Sequence, residues 1–322
     1  MKEVLLTSTV LIAALLLLRF CFRKTISRRV QYALWGLVLL RLLLPLSLPA
    51  LPVSVLNFGQ STQNAVAGSM ALPIYVLPVD RVPASQVPAA EQIRPGELVP
   101  TGDSFGYPVL SQDGQTVTKY AEKLTVAEVL TGIWLAGAAL MTCLFLVTNL
   151  RFWQKLRKDR TPYPAGACKY PVYLCHSLPS PCLFGLLRPA IYLNPAAAAS
   201  PERLRYVLAH EETHARQLDP LWSLLRAVCL ALYWFHPLVW AAAIASKADC
   251  ELACDEGALR RLDPAERLDY GQTLLALIPV RSTPTNPLLS ATAMTVGKRQ
   301  LRDRIGRIAE HKKTMTAALV AV

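Results

Sequence analysis

Residues 4–20 form an almost unbroken apolar run, with no small-residue cleavage pattern and with a basic cluster following it instead of preceding it. At about 1.5 Å per helical residue such a run can cross the hydrocarbon of a bilayer. Without the layout of a signal peptide it reads as an uncleaved anchor. Backbone polar groups inside lipid must be satisfied within the segment, so a mainly helical membrane protein is expected.

Two further runs fit the same description. Residues 32–51 carry Trp35 near their start, where an interfacial aromatic belongs, and Arg41 in the middle. An arginine there snorkels or pairs inside a helix bundle, although any intramembrane charge is also a functional candidate. Residues 126–150 are the third span. Composition agrees: the 322 residues are 53% hydrophobic and 17% charged, where soluble domains carry about 25% charged.

The net charge of +12 would suggest nucleic acid in a soluble protein. Here the basic residues flank the spans: Arg19, Arg23, Lys24, Arg28 and Arg29 lie around the first short loop, and Arg151, Lys155, Arg157, Lys158 and Arg160 follow the third run. Residues 53–123 hold four basic and six acidic residues. The positive-inside rule then places the first loop and everything after Leu150 in the cytoplasm, and 53–123 outside. No direct nucleic-acid binding is expected. The outer segment is rich in proline and shows no sustained period, so it reads as an extended, weakly structured loop. None of the eight cysteines falls in it, which points to free thiols.

The expected organisation is therefore 1–52 with two transmembrane helices, 53–124 as the extracytoplasmic loop, 125–150 as the third transmembrane helix and 151–280 as a cytoplasmic domain. Residues 281–322 follow as a linker, a basic amphipathic stretch at 298–313 suited to a membrane surface, and nine residues that could begin a fourth span.

Within the cytoplasmic part, Ser200-Pro201-Glu202 is a helix start: a capping serine, a proline at the first position and an acid at the positive dipole end. The helix is expected to reach about Leu218. Inside it lies His210-Glu211-Glu212-Thr213-His214. Histidines four apart share a face and can bind one Zn2+, with Glu211 beside them as general base. Downstream, Pro237 and Gly257 bracket a second helix carrying Glu251 and Asp255, also four apart. Glu251 could be the third metal ligand, and Asp255 could accept a hydrogen bond from a ligand histidine. Cys250 and Cys254 have the same spacing and could form a thiolate site instead, and the acids could be a solvated face.

The apolar run 221–245 resembles a further span, but a single crossing would carry Glu251 to the opposite side, about 30 Å from the histidines. Phe235-His236-Pro237 interrupts it. A helical hairpin with His236 at the turn is expected. Before the histidine helix, 171–175 and 189–193 read as short strands of a small sheet whose edge could accept an extended substrate.

Taken in order, the three spans, the proline-rich loop, PCLFGLLRPAIYLNP, LAHEETHARQLDPLW, YWFHPLVW and ELACDEGAL resemble the BlaR1/MecR1 antirepressor family of membrane zinc peptidases, peptidase family M56. The resemblance implies a gluzincin-type α+β peptidase domain in a multi-pass protein of the bacterial cell membrane. It implies His210, His214 and Glu251 as zinc ligands, Glu211 as base and Asp255 as an outer partner. It also implies that an outside stimulus activates self-cleavage and inactivation of a DNA-bound repressor. The best-known members end in a penicillin-binding sensor; this chain has no Ser-x-x-Lys motif, so it reads as a truncated member or one with another sensor. A quality-control protease and a signalling receptor with a structural zinc remain alternatives, and self-association is compatible with either. The 283–297 segment is the expected self-cleavage region.

Overall fold

The computed structural model describes residues 2–22, 25–44, 73–79, 99–101, 104–110, 116–166, 168–277, 292–293 and 304–308. The chain divides into two compact units, Met1–Leu48 with Gly137–Val322, and Pro49–Ala136.

In the smaller unit, β1 (Pro73–Val79), β2 (Val99–Thr101), β3 (Ser104–Leu110) and β4 (Thr116–Thr125) form an antiparallel sheet in the order β1-β4-β3-β2. The sequence reads as a weakly structured loop because it lacks alternation and is broken by prolines. The register explains how prolines are accommodated. Pro73 and Pro78 lie on β1 and Pro100 on β2, the two edge strands. Pro108 lies beyond Gly106, where β3 pairs with β4 alone among the described residues. A residue without an N–H is tolerated where one side of a strand has no ladder to complete.

The larger unit begins with α1 (Lys2–Cys21) and α2 (Arg28–Leu43). The long helix α3 (Val126–Asp159) starts within the smaller unit and belongs to the larger one from Gly137 onward. Among the described residues two helices are long and apolar enough to cross a membrane, α1 and α3. The second expected span is shifted: α2 starts at Arg28, capped by Ser27. Its 16 residues cover about 24 Å, and the expected continuation at 45–51 lies outside the described residues. Arg41 does pair within the helices, donating from Nε to Thr7 Oγ1 on α1 at 2.8 Å.

Short strands follow: β5 (Arg160–Pro162), β6 (Val172–Cys175), β7 (Cys182–Phe184) and β8 (Ala190–Leu193). Together with β9 (Thr292–Ala293) they make a sheet in the order β5-β6-β8-β7-β9. Leu183, Ile191 and Leu193 are fully buried against Val207 of α4 (Pro201–Arg216), each contributing about 2 kcal/mol of burial. Ser200 caps α4 by accepting from Arg203 N, as its sequence predicts. The helix ends at Arg216, short of the expected Leu218, because Leu218 adopts a left-handed conformation with φ 57°. That reversal starts α5 (Asp219–Leu232) at once.

Tyr233 to His236 then turn the chain into α6 (Pro237–Leu259), the expected hairpin. His236 sits at the turn, its Nε2 3.0 Å from Thr9 Oγ1. Gly257 lies near the end of α6, as expected, two residues before its last residue, Leu259. α6 packs on α1 and α2 through Leu15, Trp35, Leu39, Val239 and Ala253. Buried Asp249 ties the three helices together, accepting from Arg19 Nε and Trp35 Nε1 at 2.9 Å each. A 3-10 turn (Pro264–Glu266) leads to α7 (Arg267–Leu277), and a last helical turn at 304–308 sets Ile308 against Tyr270 and Leu274. All eight cysteines are free.

Candidate metal centre

α4, α5, α6, α7 and the turn at 304–308 converge on one buried polar cluster. His210 and His214 stand one helical turn apart on α4, and their Nε2 atoms lie 3.1 Å from each other. Glu251, from α6, brings its carboxylate to 3.8 Å from the first and 4.0 Å from the second. The three side chains are buried, and their ligand atoms fall within 4.8 Å of one another, a group that can hold a metal ion.

Hydrogen bonds define the tautomers. Tyr270 OH donates to Asp255 Oδ1 at 2.8 Å, so its oxygen is left to accept from His210 Nδ1 at 2.9 Å. His214 Nδ1 donates to Asp219 Oδ2 at 2.7 Å. In their neutral forms both imidazoles then carry the proton on Nδ1, and the two Nε2 lone pairs face each other. A cation between them relieves that arrangement, and the charge balance agrees. Among the described residues, Glu211, Glu251, Asp255 and Asp219 bring four buried acids to the cluster, against the buried guanidinium of Arg304 and the Lys247 ammonium near Glu251. The donor set of two imidazoles and a carboxylate fits a divalent ion of the zinc type.

Arg304 grips Asp255 through Nε at 2.7 Å and Nη2 at 2.8 Å, and its Nη1 lies 3.3 Å from Glu251. Burial raises the Glu251 pKa, but the His210 hydrogen bond and the Arg304 charge outweigh it and hold the group at about 2. Asp255 is likewise held low against burial, chiefly by Arg304. Glu211 differs. It is fully buried, neither oxygen has a hydrogen-bond partner of normal geometry, and burial raises its pKa against the weaker pull of His214, His210 and the Leu183 backbone.

The expected residues are thus brought together: His210, His214 and Glu251 face one another, Asp255 reaches His210 at 3.3 Å, and Glu211 is buried beside them. Glu251 and Asp255 are 6% and 4% exposed, which excludes a solvated face. Cys250 and Cys254 form a second group with His214 and Asp219. Cys254 Sγ lies 3.0 Å from His214 Nδ1 and donates to Asp219 at 3.2 Å, on the side of the ring away from Glu251's partner atom.

Four participants are absent from the sequence reading. Asp219 opens α5 five residues after His214, and the Asp219-Pro220 pair is a helix-start signal that could have marked it. Tyr32 donates from α2 to Asp219 Oδ1 at 2.8 Å, and nothing local announces it. Tyr270 sits in an ordinary helical pattern. Arg304 belongs to the basic stretch expected at a membrane surface, yet it is 2% exposed; two buried carboxylates draw it inward.

A sequence profile described as BlaR1 peptidase M56 matches residues 1–308. The regulatory protein BlaR1 of Bacillus licheniformis is 29% identical over 158 residues, 49% of this chain and 24% of that protein. The methicillin resistance mecR1 proteins of Staphylococcus aureus and Staphylococcus epidermidis are each 26% identical over 112 residues, 34% of this chain and 19% of theirs. The matched segments therefore span a quarter or less of these relatives' lengths. With a profile match over nearly its whole length, the chain belongs to the BlaR1 peptidase M56 family.

Proposed function

We propose that the chain is an integral-membrane zinc metalloendopeptidase that acts in signal transduction, with its peptidase region in the cytoplasm. The observation that carries this reading is the meeting of His210, His214 and Glu251 beside a buried, unpartnered Glu211. The first group is favoured over the thiol group because His214 Nδ1 is already engaged by Asp219 while both Nε2 atoms are free for a ligand.

Zinc bound by His210, His214 and Glu251 would supply Lewis acidity toward a scissile carbonyl and toward water. Glu211, made more basic by burial, takes the proton of the attacking water and delivers it to the leaving amine. Asp219 and Tyr270 hold the imidazoles in the Nδ1–H tautomer through the cycle, and Asp255 with Arg304 orients Tyr270.

β7 contributes the edge on which a substrate strand would lie, close to Glu211. Leu183 of β7 pairs with Thr292 and Cys182 pairs with Ala293, antiparallel. The partner strand comes from the 283–297 segment, which supports self-cleavage there. Inactivation of a DNA-binding repressor is the second substrate we assign, in keeping with the regulatory protein among the relatives.

Metal analysis and N-terminal sequencing of fragments from wild type and Glu211→Ala test the reading. Stoichiometric zinc in both proteins is expected, with fragments from wild type alone. Cleavage that persists in a zinc-loaded Glu211→Ala protein overturns the hydrolase; zinc without any cleavage in either protein favours the receptor with a structural ion.

A further inference from the structure

A cleft of about 530 Å³ opens beside the metal centre, lined by Arg29, Tyr32, Arg216, Gln217, Trp222 and Arg261. Its walls come from the first turn of α2, the end of α4 and the residues just after α6. Its apolar side is the Tyr32–Trp222 pair, with ring centroids 5.8 Å apart.

Three guanidiniums, of Arg29, Arg216 and Arg261, line the cleft, and Glu212 pairs with two of them. Glu212 Oε2 is shared, 3.3 Å from Arg216 Nη2 and 3.7 Å from Arg261 Nη1. A guanidinium carries five N–H donors, so most of the donors on these side chains are not used by that oxygen. Arg29 Nε is buried and has no hydrogen-bond partner. Burial and the Arg216 and Arg29 charges also hold the Arg261 guanidinium below its ordinary range, with Glu212 opposing. Like charges crowded into a cleft with donors to spare are a cost that an anion removes, and planar guanidiniums fit phosphate oxygens in pairs. The volume is that of a small-ligand site.

Exposed apolar side chains are close by in the chain: Leu221 and Leu224, on the same helix as Trp222, and Leu218 just before it are 41%, 41% and 59% exposed. Basic and apolar groups neighbour each other in the same way at a headgroup boundary.

We infer that this cleft binds a phosphate-bearing anion, with the headgroup of an acidic phospholipid as its source. The anion chemistry stands independently of the peptidase reading; the lipid source rests on the membrane placement.

Native mass spectrometry of the full chain, delipidated and then exposed to phosphatidylglycerol or phosphatidylcholine, tests the site. Wild type is expected to retain phosphatidylglycerol several-fold over phosphatidylcholine. Combined R29Q, R216Q and R261Q should cut retained phosphatidylglycerol at least fivefold, and the corresponding three lysine substitutions should restore part of it. The exposed single change R216Q, which need not disturb the fold, should lower retention about twofold. Zinc content measured on the same samples separates this result from failure of the peptidase reading. In a second arm, millimolar inorganic phosphate is added in detergent against chloride at equal ionic strength. Thermal stabilisation by phosphate in wild type alone, without phosphatidylglycerol retention, keeps the anion site and overturns the lipid source. Equal phosphatidylglycerol retention by wild type and the triple glutamine variant overturns the proposal.

Discussion

Tyr32 donates a 2.8 Å hydrogen bond to Asp219 Oδ1, and the other oxygen of that carboxylate accepts from His214 Nδ1 at 2.7 Å. A helix near the N-terminus thereby reaches, across 187 residues of chain, the aspartate behind His214, the metal ligand proposed above. Tyr32→Phe keeps the ring on Trp222 and removes only the hydroxyl. Outer hydrogen bonds of ligand histidines are worth about 10–100-fold in metal affinity. About tenfold weaker zinc binding is expected, read by competition with a chromogenic chelator. Unchanged affinity would mean that Asp219 orients His214 unaided.

Arg304 lies at 2.7 Å from Asp255 and 3.3 Å from Glu251, with all three buried. Removing one member of a buried ion cluster leaves uncompensated charge and costs about 3–5 kcal/mol. Arg304→Gln should lower stability by about 3 kcal/mol in the chelator-treated protein. A bound cation offsets the same carboxylates, so the loss should shrink when zinc is present. Thermal unfolding of both proteins with and without chelator measures the difference. Equal losses in the two conditions would show that Arg304 and the metal do not serve the same charges.

Much of this centre is legible in sequence because its core chemistry is local. His210 with His214, and Glu251 with Asp255, are each one helical turn apart, and cap signals at Ser200 and Pro237 place both pairs on helices. The supporting residues escape for the opposite reason. Tyr32 and Arg304 reach the site only through packing between elements distant in sequence, and the basic surroundings of Arg304 disguise it as surface. Leu218 hides the turn that delivers Asp219, since a left-handed leucine has no compositional mark. The β1–β4 sheet escapes because its prolines sit where strands lack a partner on one side, which composition alone does not distinguish from a loop.

Gly257 owes its place to close approach. A Cβ there would fall 2.5 Å from Thr213 Cγ2 and 2.8 Å from Arg29 Nη2. Thr213 cannot turn away cheaply, because its hydroxyl donates to Ala209 O at 2.7 Å and its β-branched side chain has few rotamers. Gly257→Ala should therefore force α4 and α6 apart and cost about 1–3 kcal/mol. Thr213 adjoins His214, so weaker zinc binding should accompany the lower melting temperature. Stabilisation, as expected for alanine in an unconstrained helix, would refute the contact.

Thr292 and Ala293 pair with Leu183 and Cys182 on β7, the strand that lies against α4 and its Glu211. If this pairing presents the chain's own segment for hydrolysis, it depends on main-chain donors that proline lacks. Joint replacement of Thr292 and Ala293 by proline should reduce self-cleavage by at least tenfold, while zinc content stays at the wild-type level because no ligand is touched. Vacating the edge should also free it for other strands, so cleavage of an added peptide should hold or rise. Gel quantification of the fragments, alongside metal analysis and a peptide assay, distinguishes the cases. A parallel fall of self-cleavage, peptide cleavage and zinc would mean that the strand supports the fold of the centre and does not present a substrate to it.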